Sequence, residues 1–64
     1  MSDFERILLE CRYLLSLNKT YQELAFIFDV DVKIVWDDLN NKLPKFDKLL
    51  YKRVRNVLNI NNNP

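Results

Sequence analysis

The sequence predicts an all-α fold, a small domain of four helices. Three observations carry this. Two capping boxes, Ser2 with Glu5 and Thr20 with Glu23, mark helix starts. Apolar residues recur at spacings of three and four, the helical period. The 64 residues contain no glycine and two prolines, a composition that favours helices joined by short connections.

The first helix should begin at Asp3. Its apolar stripe reads Phe4, Ile7, Leu8, Cys11, Leu14 and Leu15, and Asn18-Lys19 ends it. The second should cover 21–28, with Leu24, Ala25, Ile27 and Phe28 inward. Asp29-Val30 forms a turn. Asp31 then caps a third helix over 32–42, and Pro44 should stop it, because the residue before a proline is pushed out of the helical region. Asp47 caps a fourth over 48–58, with Leu50, Val54, Val57 and Leu58 as its apolar face. One domain is therefore expected over 1–58. The asparagine-rich end, 59–64, is expected to fray as a flexible tail.

The order within 20–39 is that of a helix-turn-helix. A small residue, Ala25, lets two helices approach closely. Val30 fills the corner between them, and Val35 and Leu39, four apart, share one face of the second helix. In this motif the second helix usually enters the major groove of DNA. The outward face of that helix carries Lys33, Trp36 and Asn40. Lys33 and Asn40 suit base edges, and Trp36 suits a thymine methyl or a sugar. Thr20, Tyr21 and Gln22, at the start of the preceding helix, suit a phosphate.

Composition removes several classes of function. A chain without glycine has no glycine-rich phosphate loop or dinucleotide fingerprint. With no histidine and one cysteine it cannot assemble the usual tetrahedral zinc site or a His-activated nucleophile. Cys11 lies in an apolar stripe and reads as a core residue. Asp37 and Asp38 are neighbours on a helix and point in different directions, so they do not make a paired catalytic site. No enzyme, cofactor, metal or small-molecule substrate is implied. Nothing reads as a secretion signal or a membrane span, and the lone thiol fits a reducing, cytoplasmic setting.

Charge is divided unevenly. Residues 1–40 hold four basic and eight acidic residues, and residues 41–64 hold six basic and one acidic. Lys45, Lys48, Lys52 and Arg55 sit in the basic third. Lys48, Lys52 and Arg55 share one helix face, separate from the apolar one. Such a stripe either tracks a phosphate backbone or answers the acidic half of the same chain.

Over about residues 5–58 the sequence resembles the stage III sporulation protein D family of small helix-turn-helix transcription regulators. The signs are Glu5-Arg6, Tyr13, Lys19-Thr20, Ala25, Phe28, Val30, Val35, Asp38-Leu39, Leu43-Pro44, Leu50, Val54 and Leu58. The run D-L-x-x-x-L-P at 38–44 is the most specific, since a generic helix-turn-helix does not need it. The resemblance implies an all-helical DNA-binding regulator with a recognition helix over about 32–42 and a basic C-terminal segment that helps to hold DNA. The family turn usually carries glycine where this chain has Asp29.

The expected function is therefore sequence-specific DNA binding in transcription regulation, with double-stranded DNA as partner. Thr20, Tyr21, Gln22, Lys33, Trp36, Asn40, Lys45, Lys48, Lys52 and Arg55 are the expected contacts. The alternative is a helix-turn-helix turned to protein interaction, gripping a partner or a second copy through Val32 and Trp36.

Overall fold

The computed structural model describes residues 1–61, with side chains to Asn59. Helix α1 (Asp3–Leu17) is followed by α2 (Tyr21–Phe28). Then α3 (Val32–Asp37), a π-helical turn (Asp38–Lys42) and α4 (Leu43–Phe46) run on as one unbroken rod, and α5 (Lys48–Asn61) closes the domain. The chain is thus all-α, four rods with no strand among the described residues.

The helix starts follow from side-chain chemistry. Ser2 Oγ accepts the Glu5 N–H at 3.1 Å and donates to the Glu5 carboxylate. The Thr20/Glu23 box is reciprocal: Thr20 Oγ1 accepts the Glu23 N–H, and Glu23 accepts the Thr20 N–H at 3.0 Å. Asp31 takes the Lys33 N–H at 2.8 Å, and Asp47 takes the Leu50 N–H at 3.0 Å. Asn18 and Asp29 end α1 and α2 in left-handed geometry, at φ 53° and 55°.

Asp29 therefore stands where glycine costs least, with its N–H bonded back to Phe26. Asp29→Gly is expected to stabilise the fold, by less than the roughly 1–2 kcal/mol that left-handed geometry costs an ordinary residue, read as a higher denaturation midpoint at unchanged m-value.

The core joins all four rods. Ile7, Cys11 and Leu14 of α1 meet Leu24 and Ala25 of α2, Val35, Leu39 and Leu43 of the third rod, and Val54 and Leu58 of α5. Burial pushes the Cys11 thiol up to about 12, which makes it unreactive at neutral pH. Val30 packs against this core from the turn.

Four expectations need correction. Phe4 and Leu8 are not interior: each is nearly half exposed, and Phe4 lies edge-on against Phe46 at 5.3 Å. The buried seam of α1 is turned instead toward Glu10, which is fully buried. Ile27 is likewise exposed, at 42%, because α2 turns Leu24 and Ala25 inward, with Tyr21 and Phe28 packed beside them.

Pro44 does not stop the third rod. Leu43 keeps helical angles, and its N–H reaches back to the Asp38 carbonyl across a widened turn. A proline inside a regular α-helix clashes with the carbonyl four residues earlier and removes a donor. The π turn relaxes both constraints, and the rod continues to Phe46. Finally, α5 runs three residues past 58, into the segment expected to fray. Residues 62–64 of that tail lie outside the described residues.

Candidate nucleic-acid interface

Helices α2 and α3 pack against each other, with Ala25 buried on α2 and the Asp29-Val30 corner between them, where the Val30 N–H bonds back to the Ala25 carbonyl. With Val35 and Leu39 fully buried, the opposite side of the rod faces out. Lys33 is exposed and Trp36 is half exposed. Gln22 is exposed on the first turn of α2, beside the half-buried Thr20 and Tyr21.

Asn40 differs from the expectation of a free base-reading amide. Its Nδ2 donates to the Tyr21 hydroxyl at 2.9 Å and to the Trp36 carbonyl at 2.9 Å. Its Oδ1 accepts from Arg55 Nη1 at 3.1 Å. Both amide hydrogens and the carbonyl oxygen are thus engaged. Asn40 ties the start of α2, the third rod and α5 together.

The acidic residues of the third rod are also occupied. Asp31 caps α3. Asp37 accepts from Asn41 at 2.7 Å and lies 4.0 Å from Lys42 Nζ. Asp38 is fully buried and held by the Arg6 fork, Nε to Oδ2 at 2.8 Å and Nη2 to Oδ1 at 3.0 Å. It therefore presents no charge on the outer face. Lys42 also pairs with Asp3 at 3.2 Å, which holds the exposed Asp3 carboxyl below its ordinary range.

Lys42 apart, the basic residues of the C-terminal third behave oppositely. Lys45, Lys48, Lys52, Arg53 and Arg55 form no ion pair among the described residues. Lys45, Lys48 and Lys52 are exposed, and Arg55 is half buried. The idea that this stripe only answers the acidic half of the chain fails on that count. The acidic half is met by Arg6 and Lys19 from within it and by one residue of the basic third, Lys42, which lies outside the stripe.

Reasoning from sequence missed the cluster of Arg6, Glu10 and Asp38. Glu10 lies 3.8 Å from Arg6 Nε, and its two oxygens have no hydrogen-bond partner as a carboxylate. Burial, then the neighbouring Asp38 carboxylate, pushes Glu10 up to about 9, so it is neutral at pH 7. The sequence does hold one signal of this. Glu10 stands between Ile7 and Leu14 at spacings of three and four, a carboxyl on the apolar face.

The stage III sporulation protein D family matches residues 4–64, nearly the whole chain. This chain belongs to that family. The stage III sporulation protein D residues that carry the likeness, Arg6 and the Asp38-Leu39 pair, are the ones that clamp α1 to the third rod. Leu43-Pro44 sits at the π turn. Membership points to a sporulation-related DNA-binding regulator, in a family that is not one of enzymes. There is no significant match among curated proteins or among solved structures. Among the described residues, no group of His, Cys, Asp and Glu side chains is placed to hold a metal ion, and no helix is long and apolar enough to cross a membrane.

Proposed function

We propose that this chain is a sequence-specific, double-stranded-DNA-binding transcriptional regulator of the cytoplasm, acting by occlusion or recruitment at a promoter. The hydrogen bond between Asn40 and Arg55 is the observation that carries the reading. It joins Asn40 of the third rod to Arg55 on the unpaired basic side of α5, which supports reading Lys33 and Trp36 together with Lys48, Lys52 and Arg55 as one surface. In a helix-turn-helix the groove-facing helix reads bases while flanking cations hold phosphates.

Roles follow from this arrangement. Lys33 and Trp36 meet the groove. Thr20, Tyr21 and Gln22 meet the backbone at the start of α2. Lys45, Lys48, Lys52 and Arg55 supply sequence-independent affinity by displacing counterions. Asn40 acts as a positioning residue.

A test is to replace Lys48, Lys52 and Arg55 together with Ala. Affinity should fall alike for every duplex in a panel, and the slope of log K against log salt should flatten by about 0.9 for each phosphate no longer neutralised. An unchanged slope would assign the stripe to solvent.

A second reading rests on the exposure of Val32 and Trp36, 38% and 50%. Apolar groups on an outward helix face suit a protein partner or a second copy, with Trp36 as anchor. Self-association that resists salt, disappears in Trp36→Ala and occurs without DNA retention would promote it.

A further inference from the structure

We propose that Tyr21 and Arg55 form one phosphodiester-binding site, assembled by Asn40, that clamps a single backbone phosphate of the bound duplex. The inference rests on the DNA-binding reading and specifies a site within it.

The donor inventory comes first. The Tyr21 hydroxyl accepts from Asn40 Nδ2, so its own proton is not used in that bond. Among the described residues it has no other partner. Arg55 gives one N–H of Nη1 to Asn40 Oδ1, and its guanidinium makes no ion pair. Four of its five donors are left. Both groups are therefore donors in need of an acceptor, and both are half buried, which limits the side-chain freedom given up on binding.

Geometry joins them. Tyr21 Oη and Arg55 Nη1 are bonded to opposite ends of one amide, at 2.9 and 3.1 Å. They can be no more than about 8 Å apart, a span that one phosphate bridges when it accepts from each side through a different oxygen. The amide is itself fixed, since its second hydrogen is bonded to the Trp36 carbonyl of the third rod. The site thus links the start of α2, the third rod and α5, and none of the acidic side chains is bonded to it.

The test uses the full chain with a duplex selected by it from a randomised pool, and a set of the same duplex bearing one methylphosphonate at each position in turn. Affinity is measured for wild type, Tyr21→Phe, Arg55→Gln, the double variant and Asn40→Ala, with thermal midpoints recorded for each. Wild type should weaken about tenfold at one phosphate. That single effect should shrink below twofold in all four variants, while the effects at other phosphates persist. The double variant should bind no more than twofold worse than the weaker single variant, because both groups serve one phosphate. Multiplicative effects, loss of sensitivity at different phosphates in Tyr21→Phe and in Arg55→Gln, or a neutral Tyr21→Phe would overturn the shared site and leave the DNA-binding reading standing. Failure of wild type to retain any duplex would overturn both.

Discussion

Asp38→Ala should unfold the domain at ordinary temperature, or leave it with a thermal midpoint far below that of wild type. Asp38 is fully buried, and the Arg6 fork bonds both of its oxygens. Arg6 is itself mostly covered. Removing the carboxylate leaves the mostly covered guanidinium without its fork, with only the exposed Asp3 carboxylate at 3.3 Å and Glu10 at 3.8 Å beside it. Breaking a buried pair costs about 3–5 kcal/mol when the remaining charge is stranded, and the exposed Asp3 offsets only part of that here. A domain of this size has little more than that to lose. The control is Arg6→Met with Asp38→Leu. Replacing both charges with apolar groups removes the stranded one, and stability should recover most of the way. Chemical denaturation of the three proteins checks this. A single Asp38→Ala variant as stable as wild type would show that the clamp between α1 and the third rod contributes nothing.

The same residues show how far the sequence can be read. Capping boxes, the inward spacing of Val35, Leu39, Val54 and Leu58, and the small Ala25 are local signals, and each lies where its period puts it. The family likeness at Arg6 and Asp38-Leu39 is visible as a pattern. Its cause is not, because 32 residues separate the two partners of that fork. Pro44 misleads for a local reason. The rule against helix before proline assumes an α-helical register, and the π turn over Asp38–Lys42 changes that register. Asn40 misleads for a non-local one. Its outward position is a property of the helix, but its partners Tyr21 and Arg55 come from two other rods. The basic stripe of α5 is legible; that it lacks internal partners emerges only from the packed structure.

Glu10 supplies the second large effect, a loss of stability as pH rises. Its carboxyl is fully buried, and burial raises it to about 9 from an ordinary value near 4.5. In the unfolded chain it ionises near its ordinary value; in the folded chain it stays protonated. Between those two values the folded state holds one proton more than the unfolded state, so stability falls with pH. The contribution is fully present below about 4.5 and is lost as pH rises to about 9, above which both states are ionised and the curve levels. The decline is steepest where Glu10 is ionised in the unfolded chain and still protonated in the folded one. Glu10→Gln keeps the shape and fixes the neutral form. It should flatten the decline between pH 5 and 9 and raise the midpoint at pH 8 above that of wild type, whose folded state must hold a proton that the unfolded chain has released. Denaturation midpoints of both proteins across that range decide it. Parallel curves would mean that Glu10 is ionised in the folded chain, with Arg6 shared among three carboxylates in place of two.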